Sequence, residues 1–540
     1  MRGSHLSGRH ESNARFREPY ADSWAVGVRD LPQLADSLIP EPAEDAPSQN
    51  APALSHANRV RRQRPQVRAA KIARAALRDS YDIPEVTFSR KEGRGILLTT
   101  MLISGWVSWH LGYQSLVLLA CTAPATVFRA IGFVLSWFDG PVTATAAGQE
   151  RMDRQHVTIA VPVYNEDPGL LDRCLFAMVN QSRPAQLIWV VDDGSLTDYS
   201  ALARHWVGNW PNGTEVRWSQ QANQGKRRAH AKVFESVPEA DVFVTVDSDT
   251  TLDRRALEEG LKPFQSRKVM SVAGIEMGFN ANTNFLTKLQ SSLQLYAQAV
   301  IGAAWSVAGD MYTNRGPFAL YRAAMVREYL PIYRDETFFG RRVILGDDSL
   351  LALCATDRGR SVQQLSAFGL TMWPENLGHH LRQRLRWARG RAVRNFWRIK
   401  YRPIWSYCWW FTTSGIQGFL VSGALLGILA VSWPDGADVA GRAAFILLIM
   451  SVPNALRTLC FHRSDETWQD RVLLVLIRPL SAIWSGVVLA RIVRILGTVT
   501  LLKQSWTTRR NGAELVLDPE PQTAGVLVGA GSVASDGLVA

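Results

Sequence analysis

Four long apolar runs, nearly free of charge, constrain this chain more than any other feature of its sequence. Residues 96–112 (ILLTTMLISGWVSWHLG) contain no Asp, Glu, Lys or Arg, and residues 115–138 contain one, Arg129. Two more runs occupy residues 405–433 and 442–460. A helix of about 20 apolar residues spans the roughly 30 Å of bilayer hydrocarbon. Four runs of this length are more than the buried helices of a soluble protein account for, so a multi-pass membrane protein is expected. Gly112 to Gln114 break the first pair into a helical hairpin. Trp405, Tyr407, Trp409, Trp410 and Phe411 cluster where the third run begins, as aromatics do at headgroup level. Residues 472–502 contain Pro479, Arg478, Arg491 and Arg494 and read as one broken helix or a short re-entrant pair.

The formal net charge of +12 is unevenly spread. Residues 58–94 carry eleven basic and four acidic side chains, and residues 376–402 carry nine basic and none acidic. Both blocks directly precede apolar runs. Juxtamembrane anchoring explains their sign and position, because cytoplasmic flanks collect Lys and Arg; nucleic acid is not expected as a partner. The same bias places residues 140–400 in the cytoplasm and the linker 434–441 outside. No apolar core followed by a cleavage site opens the chain at Met1, so no signal peptide is expected. Five scattered cysteines without a C-x-x-C pair exclude a disulfide scaffold and a structural zinc site.

The expected organisation is a disordered polar and basic tail (1–94), a membrane hairpin (95–139), a soluble domain (140–375), an amphipathic interfacial helix (376–404), a second membrane bundle (405–507) and a disordered tail (508–540). Within the soluble part, HVTIAVPVYN, AQLIWVVDDGS and ADVFVTVDSDT read as strands alternating with helices such as LLDRCLFAMVNQ. That alternation predicts an α/β domain with a doubly wound, mostly parallel sheet. Ligands then bind beyond the C-terminal strand ends.

Several motifs sit at those ends. Asp192-Asp193-Gly194-Ser195 suits a ribose or base, or an ordinary turn. Asp247-Ser248-Asp249 places two carboxylates at i and i+2, where they suit a hard divalent cation or a solvated turn. Gly225-Lys226-Arg227-Arg228 suits phosphates or a solvated helix start. Gly346-Asp347-Asp348 precedes a helix, so Asp348 is a general base or a helix cap. Gln383-Arg384-Leu385-Arg386-Trp387 lies on the Arg-rich helix before the third run. It either meets a diphosphate and a sugar ring or addresses lipid headgroups.

Taken in order, Val161 to Glu166 (VPVYNE), Asp192 to Ser195, Asp247-x-Asp249, Gly316-Pro317, Gly346 to Asp348 and Gln383-x-x-Arg386-Trp387 resemble the processive family 2 glycosyltransferases. The similarity is greatest to hyaluronan synthases and nodulation chitin-oligosaccharide synthases, which are N-acetylglucosaminyltransferases. It extends over about residues 95–507, with Trp506, Thr508 and Arg509 similar to that family's terminal W-G-T-[RS] pattern. The resemblance implies a cytoplasmic GT-A domain inserted in an α-helical transmembrane domain at the plasma membrane. It implies a UDP-sugar donor, UDP-GlcNAc with or without UDP-GlcA, with Mg²⁺ or Mn²⁺. By this resemblance Tyr164, Glu166, Asp193, Lys226 and Asp247 contact the nucleotide and Asp249 holds the metal. Asp348 is the base, Arg386 binds diphosphate, and Trp387 stacks on the acceptor, with Gln383 in the same motif. The expected reaction inverts the anomeric centre and builds a β-linked GlcNAc-containing polymer, hyaluronan-like, which the spans export. The alternatives are a chitin- or cellulose-like homopolymer and a non-processive transfer. Arg315 stands before Gly316-Pro317 where relatives carry Cys or Ser, which leaves donor choice open.

Overall fold

The computed structural model describes residues 83–89, 127–431, 451–452 and 455–503. The apolar run at 96–112, the first part of the run at 115–138, much of the run at 442–460, both expected tails beyond residues 83–89, and Trp506, Thr508 and Arg509 lie outside the described residues.

The strands run in chain order as β1 (Val86–Phe88), β2 (Val157–Val163), β3 (Leu187–Asp192), β4 (Gly208–Asn209) and β5 (Glu215–Gln220). They continue with β6 (Val242–Val246), β7 (Thr251–Leu252), β8 (Val269–Gly278) and β9 (Phe318–Arg322). The last four are β10 (Thr337–Phe338), β11 (Arg341–Arg342), β12 (Arg360–Thr371) and β13 (Phe461–Arg463). Nine of them form one sheet in the order β4-β5-β3-β2-β6-β9-β8-β12-β7. The long strands are rich in Val and Ile, whose branched side chains suit a pleated surface buried on both sides. Alternation divides their side chains between two cores. Ile159, Val161 and Val163 of β2 join one, and Ala160 the other. Phe318 and Leu320 of β9 join the first, Ala319 and Tyr321 the second. Each fully buried Val, Ile, Leu or Phe side chain among them contributes roughly 1.5–3 kcal/mol of transfer free energy.

The sheet is mixed, which corrects the mostly parallel arrangement expected. β5, β3, β2 and β6 are parallel neighbours, but β9 pairs antiparallel with both β6 and β8. The cause is the path of the chain. After β8 ends at Gly278 the chain forms a helical excursion on the site side and enters β9 from that same edge. Pro317 therefore sits beside Asp247, whose amide N–H donates to the Pro317 carbonyl at 3.2 Å.

Eight helices position the site and the apolar segments. They are α1 (Val127–Ser136), α2 (Pro168–Val179), α3 (Lys226–Ser236), α4 (Phe285–Tyr296), α5 (Ala323–Asp335), α6 (Asp347–Arg358), α7 (Leu377–Tyr401) and α8 (Tyr407–Val431). A ninth, α9 (Arg478–Val499), is long and apolar enough to cross a membrane. Residues 484–493 of α9 form a π-helical stretch, and Pro479 lies in its first turn, where a missing N–H costs no intrahelical bond. The 472–502 region is helical up to Val499 with an interruption at Ile477. α8 is 25 residues long and carries no Asp, Glu, Lys or Arg. Its start is held by Asp310, which accepts from the Cys408 amide at 2.9 Å and from the Ser406 hydroxyl. Phe128 of α1 packs on Tyr407, with ring centroids 4.8 Å apart.

Two short strands tie distant segments together. β1 pairs antiparallel with β13, and Phe461 joins a core with Val86, Ile275 and Phe368 on the large sheet. The Arg463 guanidinium also donates to the Gly278 carbonyl.

Candidate active site

The ends of β2, β3 and β6 bring the acidic motifs to one edge of the sheet. Asp193 leaves β3 buried and accepts from Gln221 Nε2 at 2.7 Å, the Gln224 amide at 3.0 Å and the Gly225 amide at 2.7 Å. Burial pushes its carboxyl above the usual aspartate range despite these donors. Those bonds shape the loop that delivers Lys226 to the first turn of α3. Glu166 is buried after β2 and accepts from Ser248 Oγ at 2.9 Å, which joins the VPVYNE segment to the middle of Asp247-Ser248-Asp249. Asp249 accepts weakly from Thr371 and Thr250 hydroxyls, at 3.3 and 3.4 Å.

Lys226 lies at the centre. Its Nζ is 2.5 Å from Asp247 Oδ1 and 3.5 Å from Asp347 Oδ2. Burial opposes its charge, but Asp247, Asp347 and Asp348 overcome that and raise its pKa. Burial likewise raises Asp247, against Lys226 and, more weakly, Arg386. Asp347 goes the other way: burial would raise it, but Lys226, His230 and Arg227 hold it at about 2. Gly316 packs so close that a β-carbon there would stand 3.5 Å from Lys226 Nζ and 3.8 Å from Asp247 Oδ2.

Asp348 is the partly exposed member of its pair, in the first turn of α6. Thr313 Oγ1 donates to its Oδ2 at 2.5 Å. Burial and the neighbouring Asp347 charge raise its pKa, the direction that suits a group accepting a proton. Gly346 precedes the pair with φ +71, a left-handed conformation that glycine adopts without strain.

On α7, Arg386 is near enough to Asp247 to stabilise its charge. Trp387 carries the Arg384 guanidinium 4.6 Å from its ring centroid. Gln383 Oε1 is buried without a hydrogen bond among the described residues. Tyr164 lies half-buried after β2. The structure thus gathers Lys226, Asp247, Asp347, Asp348 and Arg386 in one charged centre, with Glu166 tied to the neighbouring Ser248 and Asp249 two residues beyond Asp247, while Asp193 shapes the loop before Lys226. Among the described residues no three His, Cys, Asp or Glu side chains form a metal cluster of their own.

Other functional candidates escaped the sequence reading. Glu276 is buried on β8, where burial pushes its pKa to about 7 against the pull of Arg315 and Arg384. A lone Glu inside the apolar strand VMSVAGIEMG was the available signal. Arg315, which the sequence reading did single out, has a left-handed conformation at φ +58 and donates to Gln363 Oε1 at 3.2 Å, and burial lowers its pKa to about 10. Arg394 and Arg398 of the basic helix are also fully buried, so they do not address headgroups. Glu336, which follows α5, accepts from Arg227, Arg394 and the Trp397 indole, at 2.7–3.0 Å. Arg227 also donates to the Leu345 carbonyl just before Gly346.

Residues 154–390 match the family model described as "Glycosyltransferase like family 2". A hyaluronan synthase of Streptococcus pyogenes is 37% identical over 234 residues, which are 43% of this chain and 56% of that protein. An N-acetylglucosaminyltransferase of Rhizobium meliloti (strain 1021) is 31% identical over 255 residues, 46% of this chain and 59% of that protein. The chain therefore spans little more than half the length of the curated relatives it matches. Among solved structures, a mannosyltransferase from Pyrobaculum calidifontis in complex with GDP-Man and Mn2+ is similar with a TM-score of 0.43 and 16% identity, covering 68% of this chain and 99% of that one. The matched segment contains the nine-stranded sheet and the site residues from Glu166 to Arg386, and residues 154–390 are similar to family 2 glycosyltransferases.

Proposed function

We propose that this protein is a membrane-integral, inverting hexosyltransferase that polymerises UDP-sugars into a β-linked, GlcNAc-containing polysaccharide and exports it. The carrying observation is the convergence of Lys226, Asp247, Asp348 and Arg386 at one sheet edge, where opposite charges held in a partly buried site act strongly. Lys226 and Arg386 receive the diphosphate, and Asp247 and Asp193 take the nucleoside side. Tyr164 and Glu166 complete that wall.

The acceptor hydroxyl attacks the anomeric carbon from the side opposite the diphosphate. The new C–O bond forms as the bond to the phosphate oxygen breaks. Asp348 takes the hydroxyl proton, and UDP leaves with the bonding electrons. Inversion turns an α-linked donor into a β-linked product without a covalent sugar–enzyme intermediate. Trp387 and Gln383 sit on the acceptor side.

Asp249 fits a divalent cation, because it is a hard oxygen donor that follows β6 at i+2 from Asp247. With no protein cluster of three ligands among the described residues, phosphate oxygens would complete the shell. When bound, Mg²⁺ or Mn²⁺ supplies positive charge to the departing diphosphate.

The membrane reading is supported by the pairing of β1 with β13. These strands lie before the first apolar run and after the fourth, yet pack on one sheet. Even numbers of crossings between them and the domain satisfy that pairing. Residues 95–139 then form a hairpin, 140–375 the cytoplasmic GT-A domain, 376–404 the interfacial helix and 405–507 the second bundle of a plasma-membrane protein. The expected tail of 1–94 is corrected at residues 83–89, where β1 is an ordered strand on the fold; the rest of 1–94 and 508–540 are its tails. Similarity to the rhizobial enzyme favours a second reading, a GlcNAc homopolymer.

The test offers purified protein each labelled UDP-sugar singly and in pairs and sizes the product. A long polymer requiring both UDP-GlcNAc and UDP-GlcA is the expected result. Polymer from UDP-GlcNAc alone selects the homopolymer, and release of UDP with only single-sugar transfer overturns processivity.

A further inference from the structure

The hairpin between α5 and α6 carries an aromatic residue in an unfavourable place. β10 and β11 pair Phe338 with Arg341, leaving Phe339-Gly340 as a two-residue turn. Both turn residues have positive φ, 48° and 72°. Such mirror-image turns favour Asn-Gly, because a left-handed conformation is costly for a bulky side chain. Phe339 takes the Asn position and is 75% exposed. Its ring therefore strains the backbone and gains little burial in the fold. Strain of this kind points to an external contact.

The surroundings identify the contact. Phe338 is buried beneath, against Val343 and Val393 of α7. Phe339 stands 6.3 Å from the Phe396 ring on α7. From Phe396 the exposed apolar surface continues through Ile399, Tyr401 and Ile404 to Trp405, which is 83% exposed at the threshold of the uncharged helix α8. Arg341 and Lys400 are exposed beside it. Aromatic and aliphatic side chains rimmed by cations, continuous with a candidate span, are the composition of a surface lying in a bilayer interface.

We propose that the 337–342 hairpin is a lipid-seated wedge: Phe339 enters the boundary between headgroups and acyl chains, and Arg341 and Lys400 meet anionic headgroups. The inference rests on the membrane reading above and extends it to a segment outside every apolar run. The hairpin joins Glu336 to Gly346-Asp347-Asp348, so lipid contact would bear directly on the loop that carries the acceptor base.

The experiment places an environment-sensitive fluorophore (NBD) at Phe339→Cys and, separately, at Leu420→Cys on an exposed position of α8. The described native cysteines are buried, and labelled wild-type protein sets the background. Full-length protein is reconstituted in nanodiscs of phosphatidylcholine with and without phosphatidylglycerol. The expected result is blue-shifted emission at both sites, quenched severalfold more by doxyl-labelled lipid than by aqueous iodide. At Phe339 the shift should grow with phosphatidylglycerol. Iodide quenching at 339 with lipid quenching at 420 overturns the wedge and leaves the membrane reading standing. Shielding of 339 from both quenchers also overturns it, since protein then covers the ring. Aqueous behaviour at 420 overturns the membrane reading itself. Phe339→Asn supplies the folding control, because Asn suits the turn. It should keep its thermal midpoint in detergent yet gain less than wild type on transfer to phosphatidylglycerol nanodiscs, and an equal gain would count against the wedge.

Discussion

Glu336 and Arg394 are joined by two hydrogen bonds, of 2.7 and 3.0 Å, inside the protein where both side chains are almost wholly buried. The same carboxylate takes a third bond from Arg227, the residue after Lys226. One buried anion therefore ties helix α3 to the basic helix α7, and Arg227 extends the tie to Leu345, just before Gly346-Asp347-Asp348. Removing one partner of a buried ion pair costs about 3–5 kcal/mol, because the remaining charge is left uncompensated. Glu336→Gln should therefore lower the unfolding free energy by an amount of this order, measured by thermal or denaturant melting in detergent.

The pH dependence of this cluster has a definite sign. Burial would raise Glu336, but Arg394 and Arg227 hold it at about 2 against an ordinary 4.5. A carboxylate with a depressed folded pKa stabilises the fold above its unfolded pKa. That stability, roughly 3 kcal/mol, is lost as pH falls from about 4.5 toward 2. Wild-type protein should lose stability in that window more steeply than Glu336→Gln, and matching acid limbs would refute the assignment.

Asp348→Asn keeps shape and the Thr313 contact while removing the basic oxygen. Loss of a general base typically costs about 10²–10⁴ in rate. Polymer synthesis should fall by at least that range while UDP affinity, read by calorimetry, stays within a few-fold of wild type. Retained synthesis would remove Asp348 from the role of base.

Asp249→Ala removes the carboxylate assigned to the cation. Donor binding by wild type should strengthen with added Mn²⁺, and the variant should lose that dependence while still binding UDP weakly through Lys226. An unchanged Mn²⁺ titration would move the metal elsewhere.

The local motifs were readable because each is set by a strand end or a helix start. Asp193 follows β3, Asp247 and Asp249 follow β6, and Lys226 and Asp348 open α3 and α6. The direction of β9 was not readable, because nothing in FALYR states from which edge the chain enters the sheet. Which residues of the basic helix are buried was not readable for a related reason. Helical spacing predicts which residues share a face, but Arg394 and Arg398 are buried by a partner, Glu336, and a carbonyl, Tyr312, far away in sequence. Glu336 itself lies in DETFFG, a stretch with no pattern that separates it from the exposed Asp335. The apolar runs were legible from length and charge alone, whereas Phe339 was not, because a single aromatic in a two-residue turn leaves no periodic pattern.

Glu276 gives the opposite pH response to Glu336. It is buried on β8, and burial, the largest influence, raises its pKa to about 7, with Arg315 and Arg384 only partly offsetting it. The folded protein then holds a proton that the unfolded chain releases near pH 4.5. Stability accordingly declines as pH rises from about 4.5 to about 7, by roughly 3 kcal/mol, and levels off above. Glu276→Gln preserves the two hydrogen bonds between the residue 276 backbone and the Gln298 side chain and cannot ionise. It should melt close to wild type near pH 5 and several degrees higher near pH 8, since about 1 kcal/mol moves the midpoint of a domain this size by roughly 2–4 °C. Parallel melting curves for the two proteins across that range would show that Glu276 stays ionised in the fold, with Arg315 and Arg384 holding its charge.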